Sequence, residues 1–207
     1  MHTAWDNIAE TWNSFRSLPI REAKEFLLGR KGMVLDIGCG SGRNFLSGMT
    51  VIGVDSSYKM LLHAKENAAK KGVKAYLIRA DAAALPLKPA FDRILLVAVL
   101  HALKERKACI SEVRRLLGAG GKVLVSVWNR DQPKFKDTAK ETEVPWKAGG
   151  KEYYRYTYLF TREELASFLK ENGFDAEIIE SGKKAFNPFS KNIVAVLKRG
   201  SPSGQWD

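Results

Sequence analysis

The chain has 207 residues, 45% of them hydrophobic, with 34 Lys and Arg against 23 Asp and Glu, a formal charge of +11. That length bounds one domain with a sizeable core, and the longest uninterrupted apolar run, Ile94 to Leu100, is too short to span a bilayer. Two cysteines without CxxC spacing argue against a disulfide framework or a zinc site, while the basic excess favours phosphate-bearing partners or else marks a solvated surface of the heat-adapted kind.

Residues Met1 to Trp5 show neither a basic n-region nor an apolar h-region, so the expected compartment is the cytoplasm, with no membrane partner. Trp5, Ile8, Ala9, Trp12 and Phe15 recur every three or four residues, which predicts an amphipathic helix with an aromatic face. Such a stripe is either plain core or, ahead of a nucleotide-binding strand, a lid, here spanning 1–30. Arg16 follows the stripe and Pro19 breaks the helix. A second helix, Arg21 to Leu28, leads through Gly29 and Gly32 to the first strand.

Val34-Leu35-Asp36-Ile37 reads as a buried parallel strand that breaks into Gly38-Cys39-Gly40-Ser41-Gly42. Glycines permit a sharp turn and close approach of a ligand to main-chain N–H groups. A helix is expected to follow, its N-terminus offering unpaired donors. The glycine spacing is one residue short of the dinucleotide fingerprint. Asp36, ahead of the first glycine, would repel a pyrophosphate and suits an amino-acid ammonium. The second strand, Val51-Ile52-Gly53-Val54, ends on Asp55, whose carboxylate can accept both hydroxyls of a ribose. Acceptors for ribose and ammonium without a phosphate cradle point to S-adenosylmethionine, yielding S-adenosylhomocysteine, rather than NAD. The alternative is a nucleotide-free α/β turn.

Ser56-Ser57 caps a helix running to about Lys71 with Gly72 at its end. Met60 and Leu61 lie on its inner face, and His63 reads as surface. The third strand, Ala75 to Arg79, ends on Ala80-Asp81-Ala82; Asp81 either receives an adenine amino group or caps the next turn. Pro86 and Pro89 punctuate a loop before Phe91 to His101, a central strand carrying Val97, with His101 just beyond its carboxyl end. A helix from Lys104 to Leu117, closed by Gly118 to Gly121, leads to a fifth strand, Lys122 to Trp128. Residues 129–160 break this rhythm with lysines interleaved among Trp146 and Tyr153-Tyr154-Arg155-Tyr156. This substrate-side insertion suits RNA bases and phosphates, or is an ordinary edge hairpin. Thr161 to Glu164 is a capping box opening the helix Glu163 to Asn172, ended by Gly173. Two late strands, Ala176 to Glu180 and Ile193 to Lys198, should pair antiparallel. The expected architecture is a single α/β domain over 1–199, a doubly wound, mostly parallel seven-stranded sheet with a terminal antiparallel hairpin; residues 200–207 form a frayed tail.

The glycine turn, acidic strand ends and terminal hairpin resemble class I S-adenosylmethionine methyltransferases. Three stretches resemble more closely the tRNA wobble-uridine carboxymethyl methyltransferases: Ala98-Val99-Leu100-His101, Val127-Trp128 with Gln132, and Val144-Pro145-Trp146 followed by Arg155-Tyr156. Asp6-x-Ile8-Ala9 and Arg16 are similar to that family's N-terminal signature. The chain departs from the pattern at Phe15, Ile20, Ala102 and Thr157-Tyr158, where the family usually carries Thr, Trp, His and Tyr-His.

The resemblance implies methyl-esterification of 5-carboxymethyluridine in tRNA, with tRNA and a small zinc-binding activator subunit as partners. The expected docking place for the activator is a free sheet edge beside the fourth and fifth strands. The donor site would comprise Asp36, Gly38, Cys39, Gly40, Asp55, Ser56, Met60, Asp81, Ala82 and Val97. His101, Arg155 and Arg16 would be catalytic or orienting, and Trp128, Trp146 and Tyr156 would bind substrate. The residues agree with a carboxylate nucleophile, which is ionised at neutral pH and needs no general base. No Asn/Asp-Pro-Pro-Tyr motif for a base nitrogen is present, and neither Cys39 nor Cys109 is placed as a nucleophile for carbon-5. Arg155 and Arg16 supply the guanidinium fork that matches a carboxylate; Arg16 alternatively holds the donor's own carboxylate, and Arg155 a surface ion pair. His101 either orients the substrate or closes the strand–helix turn. Competing functions are a small-molecule methyltransferase for a quinone, phenol or carboxylic acid, and a non-catalytic donor-binding subunit.

Overall fold

The apolar runs around Leu35, Val54, Leu95 and Val125 become the middle of a seven-stranded sheet in a computed structural model that describes residues 4–29, 32–179 and 191–200. Two helices, α1 (Ala4–Phe15) and α2 (Arg21–Leu27), precede β1 (Met33–Ile37), β2 (Thr50–Asp55), α3 (Tyr58–Lys71), β3 (Lys74–Arg79) and β4 (Phe91–Val97). After β4 come a 3-10 turn at Leu100–Ala102, α4 (Arg106–Leu116) and β5 (Leu117–Trp128). A hairpin of β6 (Glu141–Ala148) and β7 (Lys151–Tyr158) precedes α5 (Arg162–Glu171), β8 (Phe174–Ile179) and β9 (Asn192–Arg199). The sheet order is β3-β2-β1-β4-β5-β9-β8, parallel through β5, with β9 antiparallel to both of its neighbours. The doubly wound sheet with its terminal antiparallel pair is thus as the alternation of runs predicts.

Strand alternation divides the core between the two faces of the sheet. Leu35, Ile94, Leu96, Val123 and Val125 pack against Ile110, Val113 and Leu116 of α4 and Leu165 and Leu169 of α5. Their neighbours Val34, Leu95, Val97 and Leu124 pack against Ala23 and Leu27 of α2. Truncating a fully buried Leu or Ile in such a core costs about 2–5 kcal/mol. Helix ends follow the sequence signals. The Ser57 hydroxyl accepts from the Met60 amide (3.1 Å), Gly72 terminates α3 at φ +65°, and Thr161 with Glu164 forms the reciprocal cap of α5.

Several expectations are corrected. No helix follows the glycine turn: residues 38–49 are successive turns, with Gly42 N–H bonded to Cys39 O and Phe45 N–H to Gly42 O. Gly38, Gly40, Gly42 and Gly48 all sit at positive φ, a conformation that cannot propagate a right-handed helix. The glycines after α4 do not close that helix but run inside β5, beside a register shift between Phe91 and Arg93. The insertion is a regular hairpin, and it forms its own two-stranded sheet rather than an edge of the large one. Both β4 and β5 are flanked on each side, so no free edge lies beside them; the sheet ends at β3 and β8. His63 is not surface but half-buried, its Nε2 3.3 Å from Glu10 of α1 and its Nδ1 3.8 Å from Glu66. Phe15, the last residue of the aromatic stripe, is 78% exposed. Gly200 is anchored through its N–H to Gly173 O; the predicted tail over 201–207, Glu180 at the end of a late strand, Met1 to Thr3, and Arg30 at the end of the lid segment lie outside the described residues. No helix among the described residues is long and apolar enough to cross a membrane.

Candidate functional site

A cleft of about 260 Å³ opens at the carboxyl ends of β1, β2, β3 and β4, where doubly wound sheets bind ligands. Gly38, Cys39, Gly40, Asp55, Ser56, Met60, Asp81, Ala82 and Val97 all line it, and Trp5 and Trp12 of α1 wall it from above. Two glycines make the approach possible. A Cβ on Gly38 would lie 2.3 Å from Val99 Cγ2, and one on Gly40 would point at Trp12 Nε1 and Met60 Sδ across the cleft, 3.9–4.0 Å away.

Besides Ser41, Arg43, Asn44 and Ser56, which line the cleft, three carboxylates lie in or beneath it. Asp55 accepts from the Gly40 amide (2.8 Å) and the Ser57 amide (2.9 Å), which fixes its plane, while burial raises its pKa. Asp81 is exposed and accepts from the Ala83 amide (2.9 Å) in an Asx turn. Asp36 differs from both. It lies beneath the cleft lining, 1% exposed, and neither carboxylate oxygen has a hydrogen-bond partner. Burial, opposed by the Arg43 charge and assisted by Asp55, raises its pKa to about 7. An orphaned buried carboxylate is a receptor for a cation or a chain of donors.

Beyond Trp5 and Trp12 lies a cationic, aromatic compartment. Strand β7 turns Arg155 inward, 6% exposed, and its Cζ sits 5.4, 5.5, 5.9 and 5.2 Å from the rings of Trp5, Trp12, Trp128 and Trp146. Its Nε is buried without a partner, and burial, then the Arg16 charge, lowers its pKa to about 10. His101, in the 3-10 turn after β4, stacks on Trp128 at 5.4 Å and 25°. Burial and then Arg155 lower the His101 pKa to about 3, so the imidazole is neutral at physiological pH. Trp146 ties the hairpin to α1 by donating its Nε1–H to Thr11 Oγ1 (2.8 Å).

The fold therefore brings His101, Arg155, Arg16, Trp128 and Trp146 together around the indoles that wall the cleft. It does not bring Tyr156 there. One residue along a strand reverses the facing, so Tyr156 meets Arg106, its hydroxyl accepting from Nη1 (2.6 Å). Sequence reasoning missed Arg43, which lines the cleft and faces Asp36 electrostatically, and it marked Asp6 by resemblance without a role; the Asp6 carboxylate accepts from Ser57 Oγ (2.7 Å) and the Lys59 amide (3.2 Å). Arg43 directly follows the glycine turn, a position that signalled it; the partner of Asp6 lies 51 residues away and left no local signal.

The chain matches the family model of a methyltransferase domain over residues 35–125. A protein of Encephalitozoon cuniculi whose name assigns it to the methyltransferases is 31% identical over 180 residues, 82% of this chain and 80% of that protein. The tRNA (carboxymethyluridine(34)-5-O)-methyltransferase alkbh8 of Xenopus tropicalis is 32% identical over 148 residues, which are 68% of this chain but only 23% of that protein. Among solved structures, the CcbJ methyltransferase of Streptomyces caelestis aligns with a TM-score of 0.75 over 97% of this chain and 99% of that one, at 20% identity, a likeness of fold alone.

Proposed function

The chain belongs to the class I S-adenosylmethionine-dependent methyltransferases, and from that premise we propose that it esterifies the carboxylate of 5-carboxymethyluridine at the wobble position of tRNA. The cleft fits the donor. Asp55 has lone pairs left for a ribose diol, Asp36 and Arg43 suit the ammonium and carboxylate of an amino acid, and the bare backbone at Gly40 leaves room between Trp12 and Met60. Bound there, S-adenosylmethionine would supply an electrophilic sulfonium methyl.

The observation that carries the acceptor assignment is Arg155. A guanidinium held among four indoles, without an ion-pair partner among the described residues, is preorganised to receive a carboxylate through its fork. An indole face holds a cation without neutralising it, so the charge stays available. Neutral His101 cannot compete for the acceptor's negative charge as a second cation, and it fixes Trp128 by stacking. Trp5 and Trp12 line the cleft and also touch Arg155, and their apolar faces lower the local polarity, which strengthens the electrostatic hold on the acceptor. The name of the Xenopus relative supports the choice of acceptor, carried over from the quarter of that protein that this chain spans. A small zinc-binding activator subunit belongs to the same proposal.

The test incubates labelled S-adenosylmethionine with tRNA bearing 5-carboxymethyluridine, with and without such an activator, and identifies the labelled nucleoside by mass. A labelled methyl ester at the wobble uridine is the expected result. Label on free carboxylic acids or phenols but never on tRNA would replace this reading with a small-molecule one.

A further inference from the structure

Two indole rings are each shared by two cations. Trp12 has Arg16 Cζ 5.6 Å and Arg155 Cζ 5.5 Å from its centroid. Trp128 has Arg155 Cζ at 5.9 Å and Lys134 Nζ at 4.8 Å, and Lys134 also lies 4.3 Å from the ring of Phe135. Three cations and two indoles thus alternate in a strip from the end of α1 to the 3-10 turn at Pro133–Phe135.

Some cations elsewhere on the surface are neutralised. Arg21 pairs with Glu25, Arg106 with Glu141, Arg115 with Glu112 and Lys140 with Glu164. Among the described residues, Arg16, Lys134 and Arg155 have no such acid. Burial and then the charges of Lys191, Arg16 and Arg155 push the Lys134 ammonium below its usual range. Like charges gathered on faces that do not neutralise them form a site for more than one negative charge.

Resting on the reading of Arg155 as the carboxylate receptor, we propose that Lys134, held against Trp128 and Phe135, forms a phosphodiester subsite for the nucleotide whose carboxylate Arg155 holds. The strip then offers one cation to each of the two anions of a carboxymethylated nucleotide within RNA, both cations lying against Trp128. A free carboxylic acid would use only half of it.

The test measures binding of a fluorescent anticodon stem-loop carrying 5-carboxymethyluridine as a function of salt. Wild type, Lys134→Gln, the charge-preserving Lys134→Arg and a control, Lys88→Gln, in the loop at the opposite end of β4, are compared, and methyl-ester formation is followed in parallel. One lost phosphate contact makes the slope of log affinity against log salt shallower by about one. The wild-type advantage over Lys134→Gln should then shrink about threefold between about 50 and 200 mM salt. Lys134→Arg should keep the wild-type slope, and Lys88→Gln should not change it. An unchanged slope in Lys134→Gln, or an equal loss in Lys88→Gln, overturns the subsite even where ester forms. A Lys134-dependent slope on a stem-loop that is bound but never methylated would sustain the subsite and overturn the proposed reaction.

Discussion

Replacing Asp36 by Asn makes the electrostatics of the donor cleft measurable without any acceptor. Asp36 is buried in β1 with both oxygens unpartnered, and burial, offset in part by Arg43, raises its pKa from 3.8 to about 7. Because the folded value is the higher one, the folded state keeps a proton between about pH 4 and 7 that the unfolded chain has released. Stability from this group is therefore present below about pH 4 and lost as pH rises through 7. The gap between 3.8 and about 7 corresponds to about 4 kcal/mol by pH 8. Asn carries no charge but leaves a buried amide unsatisfied, a cost of about 1–3 kcal/mol. Asp36→Asn should accordingly be about 1–3 kcal/mol more stable than wild type at pH 8 and within about 1 kcal/mol of it at pH 5. Urea unfolding at both pH values reads this difference. The wild-type profile alone does not, because His101 acts with the opposite sign. Its pKa is held down to about 3, so its contribution is full above about pH 6.5 and lost as pH falls toward 3. Calorimetry should show donor affinity lowered at least about tenfold in the variant, and proton release on donor binding near pH 6.5 in wild type only. A variant destabilised equally at pH 5 and 8, binding the donor as wild type does, would refute this account of Asp36.

Further outcomes follow from the same geometry. Arg155→Met should keep donor binding and the melting temperature, because a desolvated cation gives way to an apolar chain of similar reach, while kcat/KM on the carboxymethylated RNA falls at least about a hundredfold; near-normal turnover would remove Arg155 from the acceptor site. With its pKa near 3, His101 does not titrate between pH 6 and 9, so His101→Gln should leave the shape of the pH–rate profile unchanged. A limb present in wild type and missing from the variant would show the opposite. Gly40→Ala, at φ +55° with room for its Cβ only inside the cleft, should cost about 1–2 kcal/mol of stability and weaken the donor further. Gly38→Ala, whose Cβ meets Val99 at 2.3 Å, should be the more destabilised of the two in thermal melts.

The elements that periodicity and caps specify were legible in the sequence. The strands around Leu35, Val54 and Leu95, the Ser57 and Thr161 caps and the terminal antiparallel pair follow local rules, and they place nine of the ten expected donor residues on one cleft. Where the local signal was ambiguous, it failed. A glycine-rich segment is compatible with a helix start or with a chain of turns, and the positive φ of Gly42 decides for turns. Alternating apolar and polar residues identify a hairpin but not which sheet it joins, so β6 and β7 were open until their packing on α1 through Trp146 was known. Adjacent residues in one motif, Arg155 and Tyr156, looked like a pair and lie on opposite faces. The caging of Arg155 by four tryptophans, drawn from α1, β5 and β6, had no local signature at all.

The contact between Asp6 and Ser57 also couples two helices that line the cleft. The carboxylate of Asp6 receives the hydroxyl that caps α3, together with the Lys59 amide in its first turn, while Trp5 and Trp12 on the same helix cover the cleft. Any displacement of α1 would therefore strip support from the first turn of α3, where Met60 lines the cleft. One carboxylate on α1 thus holds in register two walls of the cleft that come from helices 51 residues apart in the chain.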